Sequence, residues 1–129
     1  MAVNRDRAVL LTRYPAPGDT KTRLIPSLGK WGAAALQQAM TQWIASQIRA
    51  IGKRATLTTE ICYAGGDPNK MRQWLGNGFT YQPQGDGDLG RRMFRVVKRA
   101  AKEKIQRLIM VGADIPEISA TIYKKPLNC

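Results

Sequence analysis

The sequence predicts an α/β domain, a three-layer α/β/α sandwich around a mostly parallel sheet of about four strands. Three observations carry that expectation. Short apolar runs alternate with longer stretches of helical periodicity, the pattern of parallel strands joined by crossover helices. The 129 residues suit a single domain, 1–129. Apolar residues at 43% with charged residues at 23% give the balance of a packed core under a solvated surface, not of a disordered chain.

Each element has its own signal. Ala8-Val-Leu-Leu-Thr12 reads as a buried first strand, followed by a loop over 13–27 that holds three prolines. Ser27 can cap a helix in which Leu36, Met40, Trp43, Ile44, Ile48 and Ile51 recur at three- and four-residue spacing, with Gly52 as its stop. Thr56-Leu-Thr-Thr-Glu-Ile-Cys-Tyr63, rich in β-branched and aromatic residues, is the second strand. Asp67-Pro68 opens a short helix bearing Met71, Trp74 and Leu75, and Phe79-Thr-Tyr81 is a short third strand. Asp88 can cap a helix to about Lys104 with Met93, Val96, Val97, Ala100 and Ala101 inward, before the apolar strand Arg107–Gly112. The tail after Pro116 shows little helical periodicity, and Pro126 would break a helix. Right-handed crossovers would set the loops after Thr12, Tyr81 and Gly112 along one edge, where α/β proteins bind ligands.

Composition narrows the chemistry. Lysine and arginine number 21 against 9 acidic residues, a net charge of +12 that points to an anionic partner. There is no histidine, which excludes Ser-His and Cys-His catalytic pairs and histidine metal sites. Cys62 and Cys129 form no CxxC, so neither a disulfide scaffold nor a thiolate zinc site is expected, and a reducing cytoplasm fits best. No apolar run approaches the ~20 residues of a membrane span, and Met1 to Arg7 lacks the core of a secretion signal. What remains is carboxylates, cations, hydroxyls and backbone amides, tools that with magnesium handle phosphate esters.

Four constellations stand out. The loop Arg13-Tyr-Pro-Ala-Pro-Gly-Asp-Thr-Lys-Thr-Arg23 gathers Arg13, Lys21 and Arg23 around Gly18; it lacks Walker spacing and reads equally as a phosphate grip or a solvated basic loop. Gln84-Gly-Asp-Gly-Asp-Leu-Gly90 matches the GxGxxG string, but Asp86 and Asp88 would oppose a pyrophosphate, which favours a loop over a base or sugar, or a capped turn. Val111-Gly-Ala-Asp-Ile-Pro116 sets Asp114 after a buried strand, as a magnesium or ribose ligand or as a turn residue. The face Arg91, Arg92, Arg95, Lys98, Arg99, Lys102, Lys104 reads first as a solvated helix surface and only second as a nucleic-acid contact.

In that order, Thr12–Pro26, the Gly32-Ala-Ala-Ala-Leu36 helix, Gln84–Met93 and Val111–Pro116 resemble the glycosyltransferase-like family of rSAM/selenodomain-associated transferases. These look like nucleotide-diphospho-sugar transferases of the GT-A fold, with a layout similar to small nucleotidyltransferases. The resemblance implies a nucleotide or nucleotide-sugar ligand and Mg2+ or Mn2+. It implies catalytic roles for Lys21 and Asp114, with Asp114 as metal ligand, and a nucleotide-binding set of Arg13, Gly18, Lys21, Thr22, Arg23, Gly85, Asp86, Gly87 and Asp88. Such proteins continue well beyond the aspartate motif, so the expectation is a shortened chain carrying the nucleotide-binding half. Two other readings compete with an active transferase. One is a non-catalytic remnant that binds nucleotide or pairs with itself through an open sheet edge; the other, less favoured, is a basic nucleic-acid-binding domain.

Overall fold

The computed structural model describes residues 6–55, 57–113 and 119–124. In chain order these form β1 (Asp6–Arg13), a 3-10 turn (Thr22–Leu24), α1 (Ile25–Ala55), β2 (Thr58–Ala64), α2 (Pro68–Leu75), β3 (Thr80–Pro83), α3 (Leu89–Lys102), β4 (Arg107–Gly112) and β5 (Ser119–Lys124). The strands make one sheet in the order β3-β2-β1-β4-β5, with the first four parallel and β5 antiparallel to β4. The α/β class and the mostly parallel sheet are as expected; the fifth strand is an addition. Ser-Ala-Thr-Ile-Tyr-Lys has no long apolar run to announce it, and pairing with the edge of β4, from Gly112↔Ser119 to Arg107↔Lys124, makes it a strand.

The chain steps from β1 outward to β2 and β3, then returns across β1 to β4. With crossovers of one hand, that reversal sends the last helix to the opposite face. The core divides accordingly. Ala8, Leu10, Ile61 and Tyr63 pack with Ile44 and Ile48 of α1 and Met71 and Leu75 of α2. On the other face, Val9, Leu11, Cys62, Leu108 and Met110 pack with Val96 and Ala100 of α3. Strand alternation therefore fills both layers from a continuous apolar run, as sheets buried on two sides require. Ile61 is wholly buried. Ile61→Val is expected to lower the unfolding free energy by about 1 kcal/mol, read by urea denaturation.

Three expectations about α1 are corrected. The helical run begins at Ile25, ahead of Ser27, and is interrupted at Gly29, whose φ of 73° and ψ of 166° kink it. Gly52 does not end it, since the helix continues to Ala55. A Cβ on Gly52 would stand 3.0 Å from the Thr59 methyl, so glycine there permits a close approach to β2. The inward stripe is also different. Trp43 and Ile51 are exposed, and the buried positions are Ala33, Ala34, Gln37, Thr41, Ile44, Ala45 and Ile48. Likewise Ala101 of α3 is exposed.

Two short helices are capped as anticipated. The Asp67 carboxylate accepts from the Lys70 N–H at 2.9 Å with Pro68 in the first turn, and the Asp88 carboxylate accepts from the Arg91 N–H at 2.9 Å. An ion pair ties α3 to the sheet. Arg99 Nη2 lies 2.5 Å from Oε2 of Glu60, a buried β2 carboxylate whose other oxygen is 3.9 Å from Arg7 Nη1. Beside it, burial pushes the Cys62 thiol up to about 11, with the Glu60 charge adding to the effect. Thiolate is the reactive form, so this cysteine is inert at neutral pH. In a Cys129→Ser background, Cys62 is expected to react with a disulfide reagent at pH 8 only after denaturant is added; rapid reaction of the folded protein would contradict that burial.

Candidate functional site

The point where a parallel sheet reverses its winding leaves a crevice at the carboxyl ends of the two strands on either side. Here those strands are β1 and β4. The loop after β1 lies across this edge and is tied to both neighbours of β1. Its Tyr14 N–H donates to the Ala64 carbonyl at the end of β2, at 2.9 Å. At the other side, Lys21 Nζ donates to the Ala113 carbonyl just past β4, at 3.1 Å. Ala113 also returns its N–H to Leu11 O at 2.9 Å. The first loop therefore meets Ala113, at the carboxyl end of β4.

The loop is built from inside. Thr20 is buried; its hydroxyl accepts from the Ala16 N–H at 3.0 Å and donates to Tyr14 O at 3.3 Å, which closes the Pro15–Asp19 turn. Gly18 sits at the exposed tip with φ of 93°, a conformation a side chain would strain. Lys21 itself has φ of 49°. A left-handed lysine is uncommon and is held here by its tie to Ala113 and by the 3-10 turn, in which the Leu24 N–H donates to Lys21 O at 2.9 Å. Beneath it, Gln37 of α1 is wholly buried and its Nε2 donates to Thr12 Oγ1 at 2.8 Å and Arg13 O at 3.2 Å. Thr12 and Thr41 share a hydroxyl bond of 2.7 Å. This polar plug fixes the point where β1 becomes the loop. The Gln37 Oε1 remains without a hydrogen-bond partner in the described structure.

The loop after β3 is held by Gln84, whose role sequence reasoning missed. Its buried side chain donates from Nε2 to Thr12 O at 2.9 Å and to Cys62 O at 3.0 Å, spanning the ends of β1 and β2. Its Oε1 accepts from Arg92 Nη1 at 2.9 Å, and its backbone oxygen accepts from Arg95 Nη1 at 2.8 Å. The following glycines answer to those arginines. A Cβ on Gly85 would lie 2.6 Å from Arg95 Nη1, and one on Gly87 would lie 2.8 Å from Arg91 Cδ. The GxG pattern thus lets the loop pass under the α3 arginines, while Asp88 caps that helix and Asp86 is exposed.

Of the residues singled out from sequence, Arg13 ends β1, Gly18 and Lys21 lie on the loop after it and Arg23 in the 3-10 turn, while Gly85, Asp86, Gly87 and Asp88 lie on the loop after β3, at the same carboxyl edge. Asp114 and the side chain of Thr22 lie outside the described residues. Among the described residues no three acidic or cysteine side chains gather as a metal site. No described helix is long and apolar enough to cross a membrane.

The reversal of winding between β1 and β4 defines a doubly wound α/β fold with a basic loop at its ligand edge. A solved structure agrees. The crystal structure of a "putative nucleotide-diphospho-sugar transferase" from Desulfovibrio desulfuricans G20 matches with a TM-score of 0.72 and 30% sequence identity, over 89% of this chain and 49% of that one. The chain therefore spans about half the length of that relative. Residues 47–128 match the model of the family described as "Uncharacterized protein conserved in bacteria (DUF2064)", and the chain belongs to that family. No curated protein matches it.

Proposed function

We propose that this chain is the nucleotide-diphosphate-binding part of a transferase acting on nucleotide-sugars or nucleotides. Lys21 serves as a point charge on the phosphates, Arg13 and Arg23 flank it, and the Gly85–Asp88 loop lies towards the base or sugar. The observation that carries this reading is the 3.1 Å contact from Lys21 Nζ to Ala113 O, which sets a cation at the β1/β4 reversal point beside the residue preceding Asp114. The similarity to a nucleotide-diphospho-sugar transferase structure supports it at the level of substrate class. Magnesium belongs to the reading as the ion carried on the diphosphate. It keeps most of its waters and needs only one or two protein carboxylates, and Asp114 is the residue assigned to it. The contribution of this chain is orientation and charge neutralisation, the two effects that dominate phosphoryl and diphosphate chemistry.

The test is a thermal-shift titration of the full chain with GTP, CTP and UDP-glucose, with and without magnesium. A ligand at a hundredfold excess over its Kd stabilises the folded state by about 2.7 kcal/mol, enough to raise the Tm by several degrees. One of the three is expected to do so more strongly with magnesium. If none shifts the Tm at millimolar concentration, the proposal fails.

A further inference from the structure

The outward face of α3 is strongly basic. The helix carries six cations and no acid between Leu89 and Lys102, and it divides the cations between two tasks. Arg92, Arg95 and Arg99 bond Gln84 and Glu60, with Arg92 and Arg99 half-buried and Arg95 exposed at the rim of the outward face. Arg91, Lys98 and Lys102 are exposed and, among the described residues, their side chains enter no hydrogen bond or ion pair. Between them stands Phe94, an aromatic ring with 63% of its surface in solvent. Asp88, Gly90, Arg91, Phe94, Arg95 and Lys98 line an open hollow of about 530 Å3.

Two features set this face apart from an ordinary solvated helix. Arg91 and Arg95, and likewise Lys98 and Lys102, are like charges one turn apart, with no acidic residue between Leu89 and Lys102 to offset them within the helix. An exposed phenylalanine in their midst offers the stacking surface that a purely solubilising face does not use. Arg91, Phe94 and Lys98 follow one another at helical spacing, with the two cations about 10 Å apart along the axis. A ring flanked along one line by cations suits a ligand that alternates flat, apolar rings with negative charges. In a duplex the base faces are stacked away; in a single strand they are open to an aromatic side chain.

We propose that this face of α3 binds single-stranded nucleic acid, with a base stacked on Phe94 and neighbouring phosphates at Arg91 and Lys98.

Fluorescence anisotropy of the full chain with a labelled oligothymidylate of about 20 nucleotides tests this, since single-strand footprints run to ~4–16 nucleotides. Phe94→Ala is expected to weaken binding at least fivefold with the salt dependence unchanged, and Phe94→Trp to preserve it. Arg91→Ala and Lys98→Ala should each flatten the slope of log K against log salt by about 0.7. Phe94 and Arg91 are exposed, so urea midpoints of the variants should match the parent. Absence of binding at ~50 mM salt, parent-like binding by Phe94→Ala, or equal competition from polyglutamate or a duplex of equal charge each overturn the proposal. Polyglutamate competition would identify an acidic protein surface as the partner instead.

Discussion

Gln84→Ala is expected to destabilise the protein by about 3 kcal/mol. The side chain is 2% exposed and satisfies the Thr12 and Cys62 carbonyls and the Arg92 guanidinium together. Truncation removes two hydrogen bonds to strand-end carbonyls and the acceptor of a charged donor, each worth about 0.5–1.5 kcal/mol and the charged one up to about 3. Gln84→Glu separates the parts. It keeps a partner for Arg92 but cannot donate to either carbonyl, and the added charge is buried at the strand ends. Both variants should unfold at lower urea, and Arg92→Ala combined with Gln84→Ala should cost less than the sum of the two. A Gln84→Ala protein within 1 kcal/mol of the parent would falsify the keystone role.

Lys21→Ala is expected to abolish the nucleotide-induced thermal shift, a loss of roughly 10–100-fold in affinity, the worth of one hydrogen bond from a charged group. The bond to Ala113 O goes with it, so stability falls as well. Lys21→Gly distinguishes a phosphate ligand from a structural strut. Position 21 has φ of 49°, which glycine adopts freely and alanine does not. The glycine variant should be about 1 kcal/mol more stable than the alanine variant, yet equally unresponsive to ligand. Should Lys21→Gly bind nucleotide as the parent does, the lysine is a strut and the phosphate contact lies elsewhere.

The sheet was readable because its central strands are buried on both faces and so appear as unbroken apolar runs, as in Ala8–Thr12, and Arg107–Gly112 is observed over the residues expected. The caps at Asp67 and Asp88 were readable because capping is local chemistry over four residues. The buried face of α1 was not. A search for hydrophobic side chains selects Trp43 and Ile51, whereas the helix buries alanines, Gln37 and Thr41 against the end of β1. Small and polar residues become core only when partners such as the Thr12 hydroxyl lie opposite, and those partners are 25 to 29 positions away. The glycines of the β3 loop show the same limit. Their spacing matches a dinucleotide signature, while their cause is the passage of Arg91 and Arg95 overhead.

What the amino-acid order determined alone was the alternation of strand and helix, the short-range caps and the cationic character of the chain, since each depends on neighbours within a turn or two. Tertiary structure decided the rest. It alone brought Lys21 to the end of β4 across 92 positions, made Gln84 the clasp between two strands, and tied Arg99 to Glu60 while leaving Phe94 outside. Those outcomes depend on which strand lies beside which, and strand order is set by burial and crossover geometry summed over the whole sheet rather than by any local stretch of residues.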